Sequence, residues 1–107
     1  MVALAHSDPP GFAALSITSR SASRGCHVVW LCGELDLANA PQLDRFLAHI
    51  DGHVRIDCSE LTFLDASGLR VLIAASARLA SLRMVSVPAT IRRILQITDT
   101  TSLLAPD

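Results

Sequence analysis

Apolar and polar positions along the chain fall into short segments of two kinds. Leu15 and Ile17 alternate with Ser16 and Thr18, which predicts a strand. His27–Cys32 is apolar on both faces and predicts a second, central strand with Trp30 in the core. Val54 and Ile56 alternate with Arg55 and Asp57, a third strand, and Leu82–Val87 reads as a fourth, ended by Pro88. Between them the spacing becomes helical. Leu43, Phe46, Leu47 and Ile50 make one apolar stripe, and Leu69, Leu72, Ile73 and Ser76 make another. Ile91, Ile94 and Leu95 make a third, with Arg92 and Arg93 outward.

The turn-rich Ser21–Gly25 joins the first two strands into an antiparallel hairpin with a longer loop. Asn39 with Gln42 has the form of a capping box, Pro41 sits in the first helical turn, and Gly52 stops the first helix. The order is therefore β-β-α-β-α-β-α. Strands separated by helices imply parallel pairing by right-handed crossovers, with helices covering the sheet. The expected class is α/β, a mixed sheet of four to five strands packed with helices, Leu103 and Leu104 adding a last short strand or covering an edge. Functional loops then belong at the carboxyl ends of the parallel strands. Two leave that end, Gly33–Asn39 and Ser59–Ser67, and Ser67 falls at or beside the N-cap of the second helix.

The 107 residues fit one domain, expected over 13–107 after a Pro-containing lead-in over 1–12. Formal net charge is −1, so electrostatics gives no case for nucleic acid or an anionic membrane. Charges and Pro interrupt every apolar run, and Met1–Gly11 lacks the pattern of a secretory signal. Cys26, Cys32 and Cys58 have no metal-type spacing, and an odd count without a signal points to reduced thiols in a cytoplasm. By parity Cys32 and Cys58 sit near each other on neighbouring strands, with two buried thiols as the default and a redox disulfide as the rarer outcome.

All nine basic residues are Arg. Without Lys, this chain has no Walker-type phosphate lysine, Schiff base or Ser–Lys dyad. No Gly-rich phosphate cradle is present, and Ser67 lacks the Gly-x-Ser-x-Gly elbow of a hydrolase. His49 and His53 are four apart with the helix-breaking Gly52 between them, a poor metal pair. Asp57 ends a strand as a receiver-domain phospho-acceptor does, but the acidic pair and lysine a receiver needs are missing; Asp57, like Glu34, is expected to structure its loop. No enzyme, cofactor or metal is expected. What remains are the two loops, which carry most of the polar residues without an evident packing role.

Gly33-Glu34-Leu35-Asp36, Asp65-Ala66-Ser67-Gly68-Leu69, and Val87-Pro88 followed by Ile91-Arg92-Arg93-Ile94-Leu95 stand in the same order as in a STAS domain. From Leu15 to Leu104 the chain resembles that family, and more narrowly its bacterial anti-sigma-factor antagonists. The resemblance implies a cytoplasmic docking module that binds an anti-sigma factor with serine-kinase activity and so frees a sigma factor. It makes Ser67 the residue that the kinase phosphorylates to end docking, and a serine phosphatase the partner that resets the switch. It places Asp36 at a docking surface that on this reading also takes in Leu37, Asp65, Ala66, Ser67, Gly68 and Arg70, and gives Asp65 the support of the loop and of phosphorylation. Ala66 stands where many members have a second serine, leaving one phospho-acceptor in the motif. Two alternatives remain: a STAS interaction subunit of a transporter or other regulatory complex without a phosphate cycle, and, less favoured, a nucleotide-binding or hydrolytic enzyme. Whether the domain is monomer or dimer is open.

Overall fold

A computed structural model describes residues 14–106; the lead-in expected over 1–12 lies outside them. The elements follow the expected order: β1 (Leu15–Ser23), β2 (Cys26–Leu35), α1 (Ala40–Leu47), β3 (His53–Leu64), α2 (Ala66–Arg78), β4 (Ser81–Val85) and α3 (Ala89–Ile97), then one 3₁₀ turn at Thr101–Leu103. The sheet order is β1-β2-β3-β4. β1 pairs antiparallel with β2, and β2–β3 and β3–β4 are parallel. Leu104 bridges Met84 at the free edge of β4, so the chain end covers that edge.

The core lies on one face of the sheet. Val29, Leu31 and Leu35 of β2, Val54, Ile56, Cys58, Leu61 and Leu64 of β3, and Leu82 and Met84 of β4 share one cluster with the inward residues of all three helices. Among the described residues the expected helical cover thus holds for one face only. Trp30 has the opposite parity to Val29 and Leu31 and lies half-buried on the helix-free face, with the Arg20 guanidinium 5.8 Å from its ring centre. It is not a core residue. The same alternation separates the cysteines. Cys32 is exposed on the helix-free face and Cys58 is buried on the core face, so the two do not face each other.

The main departure from the sequence pattern is the length of β3. Its two-residue period stops at Cys58, and the stretch Ser59–Ser67 reads as a loop. The strand instead continues to Leu64. Its pairing with β2 slips twice, between Trp30 and Cys32 and again between Gly33 and Glu34. At each slip β3 carries one residue more than β2, a bulge that turns the next side chain back to the core. Cys58, Leu61 and Leu64, three apart, therefore all point inward. Asp57 stabilises the first bulge: Oδ1 accepts from the Ser59 N–H at 2.9 Å and from its hydroxyl at 2.7 Å. At the second, the Thr62 hydroxyl donates to the Gly33 carbonyl at 3.0 Å.

The helices keep their expected places with small shifts. α2 buries Leu69, Leu72 and Ala75, while Ile73 is turned out and exposed. Asn39 is the N-cap of α1 but makes no side-chain cap, so the capping box with Gln42 does not form. Its amide is used in the preceding loop instead, and the Gln42 amide donates to the Leu15 carbonyl.

Candidate functional site

The bulges deliver β2 and β3 to the same level. Leu35 and Leu64 form the last rung of their pairing, so the residues that follow, Asp36 and Asp65, leave the sheet side by side. Each folds its own loop with its carboxylate. Asp36 Oδ1 accepts from the N–H groups of Ala38 at 3.0 Å and Asn39 at 3.2 Å, an Asx-type turn. Asn39, 8% exposed, closes that turn from inside: its Oδ1 accepts from the Asp36 N–H at 2.8 Å and its Nδ2 donates to the Glu34 carbonyl at 2.6 Å. The contribution of Glu34 to the loop is therefore its main chain. The spacing of Asn39 and Gln42 predicts a helix cap; the buried Asn39 amide turns instead to the Asp36 N–H and the Glu34 carbonyl.

Asp65 joins the two loops. Its extended backbone makes it the N-cap of α2, where Oδ1 accepts from the Gly68 N–H at 3.0 Å. Its other oxygen, Oδ2, accepts from the Leu37 N–H across the site at 3.0 Å, and its own N–H donates to the Leu35 carbonyl at 3.2 Å. One carboxylate thus starts the helix and fixes the apex of the neighbouring loop. At that apex Leu37 is 74% exposed. A leucine so exposed, on a loop held by five hydrogen bonds to Asp36, Asn39 and Asp65, is presented rather than loose.

Ala66, Ser67 and Gly68 form the first turn of α2. Ser67 is half-buried, and among the described residues its hydroxyl has no hydrogen-bond partner. No buried side-chain oxygen lacks a partner there, so this one is open to solvent. The capping oxygen is that of Asp65, and Ser67 stands two residues inside, with the positive end of the helix dipole beneath it. Gly68 is buried where α2 meets the sheet. A Cβ at that position would lie 2.5 Å from Leu35 Cγ and 3.0 Å from Leu64 Cδ1. Any larger residue there must displace the Leu35 and Leu64 side chains or the helix start itself.

A shallow cleft of about 360 Å³ runs between α1 and α2, lined by Leu37, Pro41, Asp44, Ser67, Arg70 and Val71 among others. It is mainly apolar, with Arg70 as its cation one helical turn beyond Ser67. The site thus gathers Asp36, Leu37, Asp65, Ala66, Ser67, Gly68 and Arg70 at one end of the sheet. Asp57 lies apart, at its bulge. Among the described residues no group of three His, Cys, Asp or Glu side chains is placed to hold a metal, and no helix is long and apolar enough to cross a membrane. An exposed leucine, a free hydroxyl at a helix start and one arginine around an apolar cleft can seat a protein surface and can present the hydroxyl to another protein.

Comparison with known proteins fits this geometry. A family model described as "Mlab, STAS domain" matches residues 18–105. The fold is that of the anti-sigma factor antagonist SpoIIAA in its unphosphorylated form (TM-score 0.69, 19% identity, covering 84% of this chain and 86% of that one). An anti-sigma factor antagonist from Mycobacterium paratuberculosis has the same TM-score of 0.69, at 23% identity over 90% of this chain and 86% of that one. The Bacillus cell fate determinant SpoIIAA in its phosphorylated form superposes with a TM-score of 0.65, at 19% identity over 84% of this chain and 89% of its own. At these identities the likeness is one of fold. No curated protein matches the chain in sequence.

Proposed function

The chain belongs to the STAS domain family, and on that footing we propose that it is a bacterial anti-sigma-factor antagonist, a non-enzymatic docking module of the cytoplasm. In its unphosphorylated form it binds an anti-sigma factor with serine-kinase activity and so releases a sigma factor. Phosphorylation of Ser67 by that partner ends docking, and a serine phosphatase restores it. The observation that carries the proposal is the placement of Ser67: a solvent-open, unpartnered hydroxyl in the first turn of α2, inside the apolar cleft that the exposed Leu37 borders.

The physics of that position suits a switch in binding better than a switch in folding. A phosphoserine carries about −1.5 to −2 charges at neutral pH. At the start of a helix the dipole favours an anion by roughly 0.3–1 kcal/mol, which offsets part of the repulsion from Asp65. The free phosphoprotein keeps its phosphate in water and stays folded. Docking removes that water. A dianion pressed against groups made for a neutral hydroxyl is a poorly paired buried charge, and about 1.4 kcal/mol suffices for a tenfold loss of affinity.

Incubation with the cognate anti-sigma kinase and ATP is expected to add one phosphate per chain, located at Ser67 by mass spectrometry and absent from Ser67→Ala. Stoichiometric phosphate on the Ser67→Ala protein contradicts the assignment. A second reading, a STAS interaction subunit with no phosphate cycle, draws on Leu37, whose exposed side chain needs no phosphate to engage a partner. Under it, Ser67→Asp leaves partner affinity unchanged.

A further inference from the structure

The helix-free face of the sheet carries its own chemistry. Cross-strand pairing sets Arg20 opposite Val28, Val28 opposite Arg55, and Arg55 opposite Arg83. These residues share the parity that points away from the core, so one row across four strands holds three guanidinium groups. The row below it holds Cys26, His53 and Ser81 in register. Both rows lie at the amino ends of β2, β3 and β4, the opposite end of the sheet from Ser67.

Here the face is concave. A trough of about 390 Å³ has Cys26, Val28, His53, Arg55 and Arg83 on its floor. Ala22 and Ser23 wall it on the β1 side, and Ala105 and Pro106 on the other. The second wall is fixed to β4 by the Leu104–Met84 bridge and by the Ala105 N–H, which donates to the Met84 carbonyl at 3.0 Å. That volume falls in the range of sites for small molecules.

Among the described residues no carboxylate balances the charges on the floor. Arg55 and Arg83 are direct neighbours on adjacent strands, about 4.8 Å apart at the backbone. Like charges so placed repel and weaken the pairing. Among the described residues the one ion pair is Arg78–Asp51, so neither guanidinium meets a carboxylate. Arg83 spends one N–H on the Leu82 carbonyl, and Arg55 makes no side-chain hydrogen bond there. The carboxylate one row above, Asp57, is taken by Ser59. His53 is steadied through Nδ1 by the Ser81 hydroxyl at 2.8 Å, and among the described residues its Nε2 on the trough floor has no partner.

We propose that this trough is a binding site for a small phosphate monoester, its dianion held between Arg55 and Arg83. Two guanidinium forks side by side match the charge and the several acceptor oxygens of a tetrahedral dianion, whereas one carboxylate answers only one of them. His53 Nε2 adds a third contact, and the apolar walls take the body of the ester. The bound anion turns a repulsive pair into a bridged one.

Titration of the ¹⁵N-labelled protein with inorganic phosphate, and separately with glycerol 3-phosphate, at ionic strength held constant with chloride, tests this. Saturable shifts are expected at the amides of Cys26–Val28, His53–Arg55 and Ser81–Arg83, with the ester binding at least as well as phosphate. The double variant Arg55→Gln, Arg83→Gln is expected to keep a dispersed spectrum, because it removes a repulsion, and to bind at least about tenfold more weakly. Its melting temperature without phosphate should equal or exceed that of the wild type, and only the wild type should gain stability when phosphate is added. Should the double variant fail to fold, Arg83→Gln alone is expected to show the weakening. Shifts that grow linearly without saturating, equal affinity in the folded variant, or a polyglutamate peptide saturating the same amides at tenfold lower concentration would each overturn the proposal.

Discussion

Gly68, Asp65 and Cys58 each act through a single atom or its absence. At Gly68 the missing Cβ lets α2 rest on Leu35 and Leu64. Gly68→Ala is expected to cost about 1–3 kcal/mol, the usual penalty for overpacking, seen as a lower midpoint in urea. Asp65→Ala removes a cap and a loop tether together. We expect a loss of about 0.5–2 kcal/mol from the cap and faster hydrogen exchange at the Leu37 amide; an unchanged Leu37 amide would contradict the bridge between the loops. Cys58 is held neutral: burial, and secondarily the charge of Asp57, push its thiol from 9.0 up to about 12. Below pH 9 the thiol is neutral folded or unfolded, and the native state keeps its full stability. Between pH 9 and 12 only the unfolded chain releases the proton, so unfolding is favoured by up to tenfold per pH unit. The sequence contains no Tyr and no Lys to obscure this limb. Cys58→Ala should flatten it, and folded protein at pH 8 should react with iodoacetamide at the exposed Cys32 and not at Cys58.

At the scale of elements, periodicity predicted the order of strands and helices, and it failed where the backbone changed its own period. The run of inward residues Cys58, Leu61 and Leu64 matches neither a strand nor a helix, so nothing in the pattern distinguishes a bulged strand from a loop. The bulges matter because they bring Leu35 and Leu64 to a common last rung and so place Asp65 within reach of Leu37. The parts of the candidate site stand in the sequence as a motif around Ser67 and a second around Asp36. Their connection does not, because it runs through one carboxylate oxygen and a main-chain N–H in a loop 28 residues away. The central β2 was legible, but its apolar run hid which face met the helices, which is how Trp30 was misplaced. Leu37 belongs to the surface of its loop rather than to the core. Leu37→Ser is therefore expected to leave the melting temperature unchanged while weakening binding of the proposed anti-sigma partner at least about tenfold, as for loss of a central apolar contact.

Seen whole, the molecule carries its two candidate sites at opposite ends of one sheet. The described helices bury one face, and the arginine row lies on the other. The carboxyl ends of β2 and β3 carry the Ser67 cleft, and the amino ends carry the trough, so a change at one end has no direct contact with the other. Nothing in the core depends on the Ser67 hydroxyl. Ser67→Asp and the phosphoserine protein should therefore melt within a few degrees of the wild type. Whether phosphate on Ser67 ends docking is decided by the affinity of the proposed anti-sigma partner for this protein with and without that phosphate, by calorimetry at one salt concentration. A loss of at least about tenfold on phosphorylation, with the fold intact, is the predicted result. Equal affinity for the two forms would contradict it.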